Sequence, residues 1–231
     1  MAPGPSEAAG PWRDLRRRAI SAAVLAPVAL GCVWVGGVAF TALVGLAAIV
    51  AEIEWLRLCR QARAGRSLLG GAIWIALAGV GLIWLRSDPL VGRVNLIFVL
   101  LIVWSSDIGA YLVGRWLGGP KLAPLISPGK TWSGTLGGIL AAVLVAIGAH
   151  GWQPGDGKIF WAVGVATGLC VIGQAGDLAE SWAKRRAGVK DSGSLIPGHG
   201  GVLDRLDALL AVAPCAALLA LCLGRGVLLW E

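Results

Sequence analysis

Apolar stretches dominate this chain, and they repeatedly reach roughly 16 to 20 residues. An α-helix of that length crosses the hydrocarbon core of a bilayer. Only structures that pair every backbone N–H and C=O internally survive there, so runs of this kind must be helical. The fold class expected is therefore all-α, a polytopic transmembrane bundle with spans near 19–35, 38–56, 67–85, 94–114, 134–150, 159–180 and 206–223. Composition excludes a soluble helical core: 57% of the 231 residues are hydrophobic and only 14% charged. The Gly36-Gly37 pair divides the first two spans, because no charge lies between Ala19 and Val50. The first span follows Arg16-Arg17-Arg18 and looks like a signal peptide, and Ala29-Leu30-Gly31-Cys32 like a lipoprotein cleavage site. Six further spans make an uncleaved helix the better reading.

The net charge of +7 is informative through its placement. With seven spans, the N-terminal tail and the alternate loops on its side carry 16 of the 20 Lys and Arg residues, leaving Arg86, Arg93, Lys158 and Arg225 on the other. This asymmetry places the N-terminus and the loops 115–133 and 181–205 in the cytoplasm. It explains the basic balance without a nucleic-acid partner. The organisation expected is a disordered cytoplasmic tail over 1–18, N-terminal membrane helices over 19–92, and a catalytic membrane domain over 93–231. The protein is expected to be multi-pass in the cell inner membrane, its site facing the cytoplasm. Cys32, Cys59, Cys170, Cys215 and Cys222 lie singly and imply neither disulfides nor zinc. Among 12 tryptophans, Trp12, Trp152 and Trp230 fall near expected membrane boundaries, where amphipathic rings are favoured.

Ionisable groups inside spans are costly and point to function unless paired. Glu52 and Glu54 have Arg57 and Arg60 close by and read as local ion pairs near the interface, with packing against the site as a further part of that reading. Asp107 lies deep in the fourth span, with Tyr111 one turn on and Gly109 and Gly114 available for close helix contact. Asp177, Glu180, Ser181 and Lys184 fall at i, i+3, i+4 and i+7, one face of a continuing helix. Asp204 and Asp207 are spaced to enter one space at the start of the last span. Carboxylates with oxygen-only neighbours suit magnesium bridged to phosphates, and lysines and arginines alongside suit phosphate-transfer chemistry. Gly129-Lys130-Thr131 is not a P-loop: Pro124 stands where the first glycine belongs, and no strand is expected before it. The segment Ser127 to Gly134 still gathers hydroxyls, amides and a lysine at a helix N-terminus. His199 sits between glycines in a tight turn.

From Ser181 through Lys184-Arg185, Lys190-Asp191, Gly193, Ile196-Pro197, His199-Gly200-Gly201-Val202 to Asp204-Arg205-Leu206-Asp207, the chain closely resembles the signature of phosphatidate cytidylyltransferases. Ala183 departs from it, since a larger apolar residue is usual there. The Asp107 run, the Ser127-Pro128-x-Lys130-Thr131 segment and Gly176-Asp177 resemble that family too, so the likeness covers about residues 100–210. It implies transfer of CMP from CTP to phosphatidic acid in the bilayer, giving CDP-diacylglycerol and pyrophosphate. It implies Mg2+ held by Asp177, Asp204 and Asp207, with a second cation such as K+, and a homodimer among the possible assemblies. Ser181, Lys184, Arg185, Lys190, Asp191 and His199 complete the implied catalytic set. Asp107, Ser127, Lys130, Thr131 and Arg205 are the implied substrate contacts. The alternative is another CTP-dependent lipid enzyme such as a polyprenol kinase, which would release CDP. A transporter would place its acids toward both leaflets.

Overall fold

The computed structural model describes residues 11–62, 65–152, 158–193, 195 and 200–231. Seven helices follow the apolar runs: α1 (Pro11–Val35), α2 (Gly37–Gln61), α3 (Gly65–Arg86), α4 (Gly92–Leu117), α5 (Trp132–Trp152), α6 (Ile159–Arg186) and α7 (Leu203–Leu223). Six are long and apolar enough to cross a membrane, and Ala23–Val35 of α1 is a shorter apolar helix. The protein is thus an all-α multi-pass membrane bundle. Helix α1 begins at Pro11, so residues 11–18, expected within the disordered tail, are helical. Residues 1–10 lie outside the described residues.

The division between α1 and α2 falls where the glycine pair places it. Gly36 and Gly37 have φ of 71° and 54°, a left-handed conformation that a side chain would resist. Arg86, at the end of α3, donates from Nε to the Val33 carbonyl at 2.7 Å and from Nη2 to the Trp34 carbonyl at 3.1 Å. It thereby satisfies carbonyls that the end of α1 leaves without helical partners. Arg93 adds a cation–π contact over the Trp34 ring at 4.6 Å.

Small residues set the packing of the helix bodies, as expected where lipid supplies no hydrophobic drive between helices. A Cβ on Gly109 of α4 would lie 2.6 Å from the Gly137 carbonyl oxygen and 2.7 Å from Ala141 Cβ of α5. One on Gly134 would lie 2.8 Å from the Ala110 oxygen. Helices α3 and α7 meet in the same way, at Gly81 against Ala213 and Ala217. The backbones touch at these points, which fixes α4 on α5 and α3 on α7 without large side chains.

The chain after α7 folds back into the bundle. Asn95 of α4 is buried and donates to the Val227 carbonyl while accepting from the Leu229 N–H, both at 3.0 Å. Asp88 accepts from the Gly226 N–H at 2.8 Å. This return carries Trp230 into the core, 2% exposed and 4.6 Å from the Phe98 ring. Trp230 is therefore a core residue, in contrast to the interfacial position its place in the sequence suggested.

The loop between α4 and α5 also differs from expectation. Instead of a structureless connection it forms an antiparallel hairpin of β1 (Lys121–Ala123) and β2 (Ser127–Thr131), pairing Lys121 with Thr131 and Ala123 with Ser127. Strand β2 carries Gly129-Lys130-Thr131 and runs straight into α5. A strand does precede the helix, yet the glycine and lysine lie in that strand rather than in a phosphate-cradling loop, so the rejection of a P-loop holds.

Candidate active site

One end of the bundle brings together most of the site residues expected from the sequence: the C-terminal half of α4, strand β2, the C-terminal half of α6 and the start of α7, with the end of α2 beside them. Thr131 sets the register of the hairpin on α5. Its Oγ1 accepts from the Gly134 N–H at 3.1 Å and bonds Ser133 Oγ at 3.0 Å, an N-cap. Buried at 5% exposure, Thr131 is occupied in holding the helix start. Ser127 lies at the other end of the strand, paired with Ala123.

Because Thr131 is fixed, the residue before it is aimed. Lys130 Nζ reaches Asp177 Oδ2 of α6 at 2.5 Å, joining the hairpin to the acidic stripe. Along that stripe the expected single face is realised. Ser181 Oγ donates to Asp177 Oδ1 at 3.4 Å, and Lys184 Nζ donates to Glu180 Oε2 at 3.0 Å. Lys184 also reaches Asp204 Oδ1 on α7 at 2.7 Å. Asp207 stands within electrostatic reach of Asp177, Asp107 and Glu180. Five carboxylates (Asp107, Asp177, Glu180, Asp204, Asp207) thus share the cluster with two lysines.

Asp107 borders a small crevice among α4, α6 and α7, with room for about one water molecule, lined with Ser106, Cys170, Gly173, Gln174 and Ala208. Gln174 Nε2 lies 3.3 Å from the Thr135 carbonyl and 3.4 Å from Ser106 Oγ, placing a polar strip in an otherwise apolar wall. Arg185, Lys190, Asp191 and Arg205 are exposed at the rim. Arg185 donates to the Ile126 carbonyl at 3.3 Å and to the Val189 carbonyl at 3.4 Å. His199 lies outside the described residues.

Asp204 has a more structural environment than its spacing from Asp207 implied. Besides Lys184, its carboxylate accepts the Ser192 N–H at 2.9 Å and the Gly201 N–H at 2.8 Å, which fastens the loop before α7. Glu54 does the same from below. Only 3% exposed, it accepts from Ser192 Oγ (3.0 Å), the Val202 N–H (3.2 Å) and the Leu203 N–H (2.8 Å). Its hydrogen-bond partners are the loop and the N-terminus of α7, not the neighbouring arginines that the sequence offered. Glu180 is the other residue that the sequence reading left out of the site, although its place on the Asp177 stripe was visible.

Among the described residues, no three His, Cys, Asp or Glu side chains converge to hold a metal ion unaided. Magnesium does not require such a cage, because it is typically held by one or two carboxylates together with substrate phosphates. Asp177 and Asp207 supply such oxygens. Glu180 Oε1, buried without a hydrogen-bond partner among the described residues, leaves further acceptor capacity beside them. An oxygen-only, net negative donor set fits a hard cation. Asp204 is the more heavily committed: Lys184 and the Ser192 and Gly201 N–H groups all bond its carboxylate, whereas Asp177 meets Lys130 and, at 3.4 Å, the Ser181 hydroxyl.

Fold and site together define a polytopic membrane protein with a charged, phosphate-suited cluster at one end of its bundle. The chain belongs to the cytidylyltransferase family, whose model matches residues 69–223. A protein of Brucella suis named phosphatidate cytidylyltransferase is 38% identical over 247 residues, covering 87% of this chain and 91% of that protein. Proteins of the same name from Haemophilus influenzae (45% identical, 55% of this chain and 46% of that protein) and Staphylococcus epidermidis (43%, 61% and 54%) match shorter stretches.

Proposed function

We propose that this chain is a phosphatidate cytidylyltransferase, transferring CMP from CTP to phosphatidic acid. A phosphate oxygen of phosphatidic acid attacks the α-phosphorus of CTP. The bond to the β-phosphate breaks, pyrophosphate leaves, and CDP-diacylglycerol remains. The observation that carries this reading is the convergence of Lys130, Asp177, Lys184 and Asp207 from three separate elements at one end of an apolar bundle. Its family membership supports it independently.

The chemistry asks little of the protein beyond alignment and neutralisation of charge. Lys130 and Lys184, each held by carboxylates, supply fixed positive charge. Arg185, Lys190 and Arg205 stand at the rim to draw in the anionic nucleotide. Asp177 and Asp207 would hold Mg2+, which would supply charge neutralisation on the triphosphate. A second cation such as K+ belongs to the same proposal. Asp107 lies within the membrane-spanning part of α4, beside the acidic stripe of α6, and is the proposed contact on the lipid side of the site. The basic asymmetry of the loops supports a cytoplasmic site in the inner membrane, on the side where CTP is dissolved.

The test uses purified enzyme in detergent with labelled CTP, phosphatidic acid and magnesium. Lipid-linked CMP and pyrophosphate are the expected products, and CDP with a phosphorylated lipid would instead indicate a kinase. Asp177→Asn and Lys130→Met should each lower kcat by about a hundredfold or more, the scale of removing one electrostatic contact to a transition state. Full activity in both variants would refute the site.

A further inference from the structure

We infer that Glu54 of α2 is a positioning residue for the catalytic loop, so that the N-terminal helices set the geometry of the site from outside the segment that matches the family model. That segment begins at residue 69, fifteen positions after Glu54. The inference rests on the reading of 177–207 as catalytic.

Three observations converge. First, the Glu54 carboxylate is buried in a membrane helix, where a charge must earn its place by its partners. Among the described residues no Lys or Arg pairs with it, and its oxygens are used on the loop and the first turn of α7: Ser192 Oγ, Val202 N–H and Leu203 N–H. The N–H groups at the start of a helix lack intrahelical acceptors, and a carboxylate there satisfies them and meets the positive end of the helix dipole. Second, the loop is shaped around this carboxylate. A Cβ on Gly193 would lie 2.5 Å from Glu54 Oε1, and one on Gly201 would lie 2.5 Å from Oε2 while striking Ser192 Oγ. Neither glycine has a positive φ, so what a side chain would meet there is the Glu54 carboxylate, joined at Gly201 by Ser192 Oγ, and these groups would have to shift from their hydrogen bonds to admit it. Third, what Glu54 holds is chemically important. Ser192, whose hydroxyl it accepts, donates its N–H to Asp204, and Asp204 holds Lys184. Asp207 follows one turn later on the helix that Glu54 pins. Displacing the start of α7 therefore moves Asp204 and Asp207 together.

The experiment compares Glu54→Ala, Glu54→Gln and Gly193→Ala with wild type and with Glu52→Gln, an acid two residues away that makes no hydrogen bond or ion pair among the described residues. Activity is measured per folded molecule, with KM for CTP and kcat determined separately, and backbone hydrogen exchange is followed over 190–205 and over α4–α5. The expected result is a fall in kcat of at least tenfold for Glu54→Ala and Gly193→Ala, with faster exchange confined to 190–205. Glu54→Gln, which keeps one acceptor oxygen, should fall between them and wild type, and Glu52→Gln should match wild type. Gly193→Ala keeps the carboxylate and disturbs only its fit, so the inference stays testable if Glu54→Ala does not fold. Wild-type kcat per folded molecule in Gly193→Ala and Glu54→Gln would overturn it, as would exchange that rises equally across the bundle. If wild type itself transfers no CMP, the functional reading fails, while the exchange pattern still decides whether Glu54 holds the loop.

Discussion

Lys184 offers the sharpest test of how this bundle end is held together. Its ammonium, 12% exposed, sits between Glu180 at 3.0 Å and Asp204 at 2.7 Å, themselves 7% and 5% exposed. Replacing it with methionine keeps most of the volume and leaves two buried carboxylates without their cation. Breaking a buried pair by removing one partner costs about 3–5 kcal/mol, most of it the penalty on the charge left behind. Asp204 keeps its Ser192 and Gly201 donors, which brings the expectation for Lys184→Met down to roughly 2–4 kcal/mol. Asp204→Asn alone should cost somewhat less, because the amide oxygen still accepts. The combination Lys184→Met with Asp204→Asn should then cost less than the sum by about 1–2 kcal/mol, since the second change removes part of what the first left unpaired. Reversible unfolding in mixed detergent, followed by tryptophan fluorescence, gives the four free energies of the cycle. Two single variants that each cost under about 0.5 kcal/mol and simply add would show that the pair does not stabilise the fold.

Two further outcomes follow from the same structure. Gly109→Ala drives a methyl into the Gly137 carbonyl, so α4 and α5 must separate; a loss of about 1–3 kcal/mol is expected in the same unfolding assay. Burial resists ionisation of Asp88, but the N–H groups of Val91, Gly226 and Leu90, with Arg225 nearby, prevail and hold its pKa below the ordinary 3.8. Its stabilising contribution is therefore complete above that value and is lost as pH falls through the lower, folded pKa, so Asp88→Asn should flatten the acid limb of the pH–stability curve and leave neutral pH less stable than wild type.

The spans were legible because the bilayer imposes one requirement, length without charge, that a single sequence displays directly. Helix faces were legible for the same reason: the i, i+3, i+4, i+7 spacing of Asp177, Glu180, Ser181 and Lys184 is a property of α6 alone. What the sequence hid was everything decided by a partner far along the chain. Glu54 has two arginines within one or two turns, and nothing local shows that its partners lie 138 to 149 residues away. Trp230 stands at the end of the chain like an interfacial anchor, and only the Asn95 and Asp88 bonds to the returning tail put it in the core. The hairpin was invisible because Lys121 to Thr131 contains Pro124, Pro128 and Gly129, residues that argue against strands, and its strands are only three and five residues long.

A structural logic connects the two halves of this picture. Along the helix bodies, glycine and alanine bring backbones into contact, with Gln174 and Ser106 adding a polar link among α4, α5 and α6. Where those contacts end, Lys130 ties β2 to α6, Lys184 ties α6 to α7, and Glu54 ties α2 to α7. The groups that suit phosphates are thus also the stitches that close the bundle. Removing one changes folded fraction and turnover together, and a bare loss of activity does not identify a substrate contact. The two roles separate on other axes. A residue that meets the triphosphate shifts KM for CTP and its dependence on salt in the folded fraction, because phosphate binding is screened by ions. A stitch such as Glu54 changes local exchange and kcat and leaves the salt dependence where it was.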